Sequence, residues 1–180
     1  MARSGYAATT VDEIASESGV SRKALYTHFS GKEDLLLQAH RALVEQIAAG
    51  AGSAAAEQDD WRAALRALLD WALELFAREP ALANLSLVEV TAATPATRQL
   101  QRETLTRARA LIEQAIAVDG RTAPDIAIDG MLGGMTYVIA KAAENGDPTE
   151  LPALRPKLMA WLMLVVDGPE AAERELGIGA

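Results

Sequence analysis

The sequence predicts an all-α protein in which a helix-turn-helix head precedes a larger helical body. Apolar residues recur at intervals of three and four along most of the chain, and no stretch alternates apolar and polar residues as a half-buried strand would. Helix-starting Thr, Ser, Asp and Pro and helix-ending Gly residues separate these apolar stripes. Half of the 180 residues are apolar, which is enough for a substantial core. We place the head and a linking helix in residues 1–47 and the body in residues 48–180.

The head is organised around two short predicted helices joined by a tight turn. Thr10 and Glu13 have the spacing of a capping box, in which each side chain bonds the backbone N–H of the other residue. Gly19 supplies the left-handed conformation that ends a helix, and Ser21 is placed to cap the next one. This is the spacing of a helix-turn-helix, whose second helix enters the major groove of DNA. The outer side of that second helix is polar and basic, with Arg22, Lys23, Tyr26 and Thr27.

The net charge of −8 is distributed unevenly between head and body. Residues 1–41 contain five basic and five acidic residues, so the remainder of the chain carries the whole excess of acid. The basic groups of the head cluster around the second predicted helix. We expect the acidic remainder to be repelled by DNA and so to help orient the molecule.

A series of short motifs in the head resembles the DNA-binding signature of the tetracycline-repressor (TetR) family. These motifs are Gly5-Tyr6, Thr9-Thr10-Val11, Ile14-Ala15, Gly19-Val20-Ser21, Leu25-Tyr26, His28-Phe29, Lys32-Glu33 and Leu35. The resemblance implies a ligand-responsive transcriptional repressor that binds palindromic operator DNA as a homodimer and is released by a small-molecule inducer. The DNA contacts that it implies are Thr10, Ser21, Arg22, Lys23, Ala24, Tyr26, Thr27, His28 and Lys32.

The N-terminus departs from the pattern of the family. Its members carry a first helix before the Gly-Tyr motif, whereas only four residues precede Gly5 here. We therefore expect an incomplete head, through either truncation or a start codon placed too late. The alternative function is that of a helical homodimer which binds a small molecule and has lost DNA binding.

The body is predicted to consist of long helices with apolar faces. Ser30 and Glu33 have the spacing of a second capping box, which would start the linking helix, and His40 is expected to be a solvated position on it. Gly50–Ser53 is expected to end that helix. Further helices are predicted over residues 59–78, 81–93, 95–118, 125–145 and 151–166.

The bodies of TetR-like proteins hold a ligand cavity, and the resemblance implies one here. Seven residues are expected to line it, although an aromatic and methionine set at helical spacing is also typical of a plain core. Glu89 lies within an apolar run, so its carboxylate either points into the body or lies on the surface. The implied ligand residues are Trp71, Phe76, Glu89, Arg102, Met131, Met135 and Tyr137.

Three C-terminal stretches are similar to the dimerisation segment of one TetR subgroup. They are residues 133–137, 151–156 and 168–172. The similarity implies that the last two long helices pair with their copies in a four-helix interface, and the alternative is that their apolar stripes serve only the core of one chain. The implied interface residues are Gly130, Gly133, Gly134, Leu154, Leu158, Trp161, Leu162 and Val165.

Enzymatic and metal chemistry are not expected. The chain has no Cys, and its two His residues lie outside the body, so the sequence offers no clustered soft or imidazole ligands and no Ser-His-Asp set there. No cofactor is therefore expected. The start of the chain does not resemble a signal peptide, and no uninterrupted apolar run reaches the length of a membrane span, so a cytoplasmic protein without membrane contact is expected.

Overall fold

The computed structural model describes residues 5–89, 94–145 and 147–177, and the regular structure in these ranges is helical throughout. The helices are α1 (Gly5–Ala8), α2 (Val11–Ser18), α3 (Arg22–His28), α4 (Lys32–Ala56), α5 (Trp61–Arg78), α6 (Pro80–Asn84), α7 (Pro95–Ala117), α8 (Asp125–Asn145), α9 (Arg155–Val166) and α10 (Pro169–Glu175). A π-helical turn, Leu85–Glu89, follows α6, and a 3-10 segment, Pro148–Leu154, precedes α9. The predicted all-α fold is confirmed.

The caps of the head form as the sequence predicts. The backbone N–H of Glu13 donates to the Thr10 hydroxyl at 3.2 Å, and the backbone N–H of Thr10 donates to the Glu13 carboxylate at 2.7 Å. These bonds from Thr10 lower the pKa of Glu13. Gly19 ends α2 with φ 69°, and Ser21 caps α3 by accepting from the backbone N–H of Ala24 at 3.1 Å. Local hydrogen bonds therefore set the angle at which α3 leaves the turn.

Helix α4 is longer than predicted and belongs to both head and body. It has 25 residues and continues through the expected end at Gly50–Ser53. A Cβ atom at Gly50 would overlap the indole of Trp71, so this glycine lets α5 pack closely instead of ending the helix. The boundary that we place at residue 47 thus lies inside one continuous helix.

The predicted capping box at the start of α4 is wrong. The backbone N–H and the hydroxyl of Ser30 both donate to the carboxylate of Asp34, at 2.8 and 3.2 Å, so the partner is one residue further along than expected. Gly31 is the N-cap, and no side chain bonds there. These bonds also lower the pKa of Asp34, after the larger effect of its bond from Gln38.

The core of the body is built from α5, α7, α8, the 3-10 segment and α9. Full burial of a Leu, Ile or Met side chain contributes roughly 1.5–3 kcal/mol, so this layer supplies much of the stability. Its most deeply buried large side chains are Leu65, Leu73, Ile116, Ile128, Met131, Leu151, Met159 and Met163.

A charged cluster fastens the start of α5 to the end of α9. The carboxylate of Asp167 accepts from both Arg62 and Arg121. The two guanidinium carbons lie 4.3 and 4.5 Å from the ring centre of Trp61, which is itself buried. The hydrogen bond from Arg62, followed by that from Arg121, lowers the pKa of Asp167.

Candidate DNA interface, ligand cavity and pairing face

Helix α3 presents its polar side to solvent. Leu25 is 9% exposed and anchors the helix on the head, while every predicted contact residue of this helix and its cap is exposed. Thr10 is also exposed, at the N-cap of α2. The residues that share this exposed surface are Ser21, Arg22, Lys23, Ala24, Tyr26, Thr27 and His28.

Arg22 is held loosely on the exposed surface of α3. Its Nη1 lies 3.1 Å from Oδ2 of Asp12, with both side chains more than 60% exposed. Its guanidinium carbon is 5.5 Å from the ring centre of Tyr26. Exposed ion pairs of this kind contribute about 0–1 kcal/mol, so another anionic group can compete with Asp12 for the guanidinium.

Lys32 lies at the junction of the first and fourth helices. Its Nζ donates to the carbonyl oxygen of Tyr6 at 2.7 Å and lies 4.4 Å from the centre of the Tyr6 ring. The side chain is half-buried. Lys32 therefore holds α1 against the start of α4.

A cavity of about 210 Å³ lies between the body helices and α4. Its lining is apolar apart from three hydroxyl groups, and none of its described lining residues is charged. Ile47 and Ala51 of α4 form one wall, so the helix that carries the head also borders the cavity. The hydroxyls belong to Ser86, Thr104 and Thr136, and other lining residues include Leu65, Leu69, Leu105, Ala108 and Ile139.

Two of the seven predicted ligand residues, Phe76 and Met135, line this cavity. Met131 is 2% exposed and packs in the core without reaching the cavity lining, and the Trp71 ring packs at Gly50 instead. Arg102 is exposed and donates to Gln99, so it does not face the cavity.

The two other predicted ligand residues are Tyr137 and Glu89. Tyr137 is 66% exposed and borders a shallow pocket of about 280 Å³, which shares Leu87 and Thr136 with the cavity. Glu89 ends the π-helical turn, and its side chain lies outside the described residues.

His40 lies in the interior and not at the expected solvated position. It is fully buried, and its Nε2 lies 3.1 Å from Oγ1 of Thr104, a cavity-lining residue. Burial lowers the pKa of His40 to about 4. The expectation of a solvated position is therefore wrong. Its spacing of four residues from Leu36 and three from Leu43, both buried, places it in the apolar stripe and was the available indication.

Helix α8 is apolar yet poorly covered. Among the described residues, one helical stretch is long and apolar enough to cross a membrane, namely Asp125–Glu144 with a mean hydropathy of 1.2. Of the residues in this stretch, 22% are buried inside the protein. Ile126 is 80% exposed, and a Cβ atom at Gly130 or Gly133 would contact nothing within 4 Å. With Tyr137, these positions follow at intervals of four, three and four, which puts them on one side of the helix. We call these four residues the pairing face.

Part of the predicted dimer interface belongs to the core instead. Leu158 and Leu162 are 2% and 3% exposed, and Leu162 lines the cavity, so neither is available to a second chain. Gly134 is filled by the Trp161 ring of the same chain. Helix α9 is apolar on nearly all sides, so periodicity could not distinguish its inner side from its outer one. Leu154, Trp161 and Val165 are half-buried.

This chain resembles known proteins in the sequence of its N-terminal part and in its overall fold. A family model described as "Bacterial regulatory proteins, tetR family" matches residues 1–39. The chain is 60% identical over 38 residues to the uncharacterized HTH-type transcriptional regulator YerO of Bacillus subtilis, which is 21% of this chain and 13% of YerO. It is 39% identical over 66 residues to the HTH-type transcriptional activator FasR of Mycolicibacterium smegmatis, which is 37% of this chain and 30% of FasR. These matches thus span less than a third of either relative.

The fold is shared over almost the whole chain. The crystal structure of the transcriptional regulator FadR from Bacillus subtilis, in complex with stearoyl-CoA, superimposes with a TM-score of 0.75 and 21% identity, covering 93% of this chain and 92% of that one. The match of the head in sequence and the match of the whole body in fold point the same way. Residues 1–39 thus match the tetR family model, and the chain as a whole has the fold of the Bacillus subtilis regulator FadR.

Proposed function

We propose that this protein is a ligand-responsive transcriptional repressor, which binds a palindromic operator as a homodimer and releases it when an apolar small molecule enters the cavity. The observation that carries the proposal is the path of α4. Its first residue, Lys32, contacts the head, and Ile47 and Ala51 border the cavity. A ligand in the cavity would therefore touch the same helix that contacts the head and directly follows α3 in the chain.

The DNA contacts that we propose fall into two groups, those to base edges and those to phosphates. Arg22 and Lys23 have the side chains that bind guanine edges in the major groove, with Ala24, Thr27 and His28 next to them on the exposed surface. Ser21, Thr10, Tyr26 and Lys32 would contact phosphates and fix the orientation of the head. Two heads related by a two-fold axis require half-sites about 34–36 Å apart.

The second copy of the chain would cover the pairing face. An exposed apolar stripe of this length costs free energy in water, and the open glycines allow another backbone to approach closely. Leu164 of α9, 51% exposed, adds to the apolar surface available. A dimer through α8 and the exposed side of α9 buries this surface without a membrane, in keeping with a cytoplasmic protein.

The ligand would be apolar, since the described cavity lining offers hydrocarbon and three hydroxyls. The cavity, at about 210 Å³, is smaller than typical ligand sites of roughly 300–1,000 Å³. A longer ligand would extend into the adjoining pocket of about 280 Å³ or into another of about 170 Å³ that shares Leu68 and Leu111. The stearoyl-CoA of Bacillus subtilis FadR makes long-chain acyl compounds reasonable first candidates.

Induction requires differential binding. The ligand must bind the non-DNA conformation better by about 1.4 kcal/mol for each tenfold loss of operator affinity. The alternative of a small-molecule binder without DNA binding receives less support, because α3 keeps its caps and its exposed basic surface.

Selection from a pool of random duplexes tests the proposal. We expect enrichment of a palindrome with half-sites one helical turn apart, and fluorescence anisotropy should show much tighter binding to it than to a scrambled duplex. A thioester or alcohol of a long-chain fatty acid, added to the complex of protein and operator, should raise the dissociation constant of the protein for the operator. Equal affinity for selected and scrambled DNA would overturn the proposed function.

A further inference from the structure

We propose that the cavity selects an apolar ligand that carries a hydrogen-bond donor, such as a hydroxyl group, which is recognised by the oxygen of Thr104. This inference rests on the proposed function, since it concerns the ligand of the same cavity. It goes further by naming the chemical group that the cavity distinguishes.

The hydrogen of the Thr104 hydroxyl is already used. Its Oγ1 donates to the carbonyl oxygen of Leu100 at 2.9 Å, within the same helix. A hydroxyl group has one hydrogen and two lone pairs, so what remains available on Thr104 is acceptor capacity. Thr136 has the same arrangement, donating to the carbonyl oxygen of Leu132 at 2.8 Å.

His40 fixes this polarity at Thr104. The Nδ1 atom of His40 has no hydrogen-bond partner among the described residues, whereas Nε2 lies 3.1 Å from Oγ1 of Thr104. At neutral pH the buried ring carries one hydrogen, because burial lowers the pKa of His40 to about 4. A hydrogen on Nδ1 would be a buried donor without a partner, so the favoured tautomer carries it on Nε2 and donates to Thr104.

Thr104 is therefore bonded on two sides and retains one lone pair. A ligand hydroxyl can donate to that lone pair without breaking either bond. A ligand carbonyl can only accept, so binding it at Thr104 would require the hydroxyl to leave Leu100. Because the rest of the described lining is almost entirely apolar, an unmade hydrogen bond there is not replaced by water at low cost.

The matched pair 2-octanol and 2-octanone isolates the donor, since the two molecules differ only in that group. Each is titrated into the full-length protein loaded with N-phenyl-1-naphthylamine, a neutral dye that fluoresces in apolar sites. We expect 2-octanol to displace the dye at concentrations about three- to tenfold lower than 2-octanone. The ratio should approach one in Thr104→Val and be kept in Thr104→Ser, which retains the hydroxyl.

Each outcome has a separate meaning. Displacement by both compounds at equal concentration, or preference for the ketone, would overturn the inference and leave the proposed function standing. A preference for the alcohol that persists in folded Thr104→Val would overturn the assignment to Thr104, and its loss in Thr136→Val instead would place the recognition at that hydroxyl. Failure of the dye to bind, combined with selective operator binding that apolar compounds do not affect, would overturn the ligand cavity itself.

Discussion

A Cβ atom added to Gly134 would overlap the indole ring of Trp161 in the same chain. This contact brings α8 and α9 together within one body. Gly134 is therefore an intramolecular packing position, whereas Gly130 and Gly133 leave open space beside them. Of the three glycines in α8, Gly134 thus makes room for Trp161, whereas Gly130 and Gly133 leave the surface of the helix open.

Substitutions at Gly134 and Gly130 should have opposite effects on stability. Gly134→Ala forces the Trp161 ring to move, and overpacking of this kind costs about 1–3 kcal/mol. In the monomeric Ile126→Glu background, where no second chain covers this face, Gly130→Ala meets nothing and should stabilise the helix by up to about 1 kcal/mol. Urea denaturation at a fixed protein concentration measures both. Equal stability of the two variants would contradict the assignment.

Arg22→Ala and Lys23→Ala should each weaken binding to the selected operator by about 1–3 kcal/mol and affect scrambled DNA much less. Asp12→Ala is the control, because it removes the ion pair but leaves the guanidinium of Arg22 in place. Lys32→Ala should weaken binding to all sequences alike and flatten its dependence on salt. Anisotropy titrations at several salt concentrations measure these effects. A loss in Asp12→Ala as large as that in Arg22→Ala would show that Arg22 acts within the head alone.

Charge on the pairing face should dissociate the dimer. Ile126→Glu and Tyr137→Glu each place a carboxylate where a second α8 would cover it, and burying an unpaired charge is strongly unfavourable. Val118→Glu is the control, since Val118 is 78% exposed and lies at the end of α7, outside this face. Sedimentation should give monomers for the first two variants and a dimer for the control. Dimers throughout would mean that another surface forms the interface.

His40 should make the protein sensitive to mild acid. Its pKa in the folded chain, about 4, is below the ordinary value of 6.5, so the unfolded chain takes up a proton first as the pH falls. The free energy of unfolding should therefore drop between about pH 6.5 and 4, by up to about 3.5 kcal/mol, since the two pKa values differ by about 2.5 and a difference of one corresponds to about 1.4 kcal/mol. His40→Gln should remove this part of the pH dependence, and His28→Gln, at an exposed site, should retain it. Denaturation curves at several pH values would refute the prediction if all three proteins changed in parallel.

Asp167 should contribute more to stability than its neighbour Asp119. Asp167→Asn weakens the bonds to both Arg62 and Arg121, whereas the Asp119 carboxylate, 61% exposed, accepts from one arginine among the described residues, Arg121 at 3.3 Å. Because its folded pKa is lowered, the contribution of Asp167 is present above the unfolded value near 3.8 and is lost only as the pH falls through the lower folded value. Thermal unfolding at pH 7 should show a clear decrease for Asp167→Asn and little change for Asp119→Asn. The reverse order would show that this cluster is not a fastening point.

The head could be predicted in detail because its geometry is local. Thr10, Gly19 and Ser21 act on backbone groups within four residues, so their spacing specifies the caps. Residues of the body depend on partners far away in the chain. The interaction of His40 with Thr104 spans 64 residues, and nothing near Gly50 in sequence indicates that a tryptophan will pack on it.

The cavity was the least predictable feature for the same reason. Phe76 and Met135 are among the predicted ligand residues and line the cavity, but the other walls come from leucines and alanines that are indistinguishable from core residues by type. Residue type alone favours large aromatic and methionine side chains as the lining of a ligand cavity. In the structure Trp71 fills a gap between helices, and Tyr137 lies at the surface.

Because α4 is long, a small tilt at its cavity end would move its head end by a larger distance. From Ala51 at the cavity to Lys32 at the head the helix rises roughly 28 Å, at about 1.5 Å per residue. A tilt of about 5° around the cavity end would displace the head by roughly 2.5 Å, and two symmetric arms would change the separation of the heads by up to about 5 Å. Hydrogen bonds to base edges tolerate only a few tenths of an ångström. In the proposed dimer, a tilt of a few degrees at the cavity end would therefore be enough to misalign both heads with the operator.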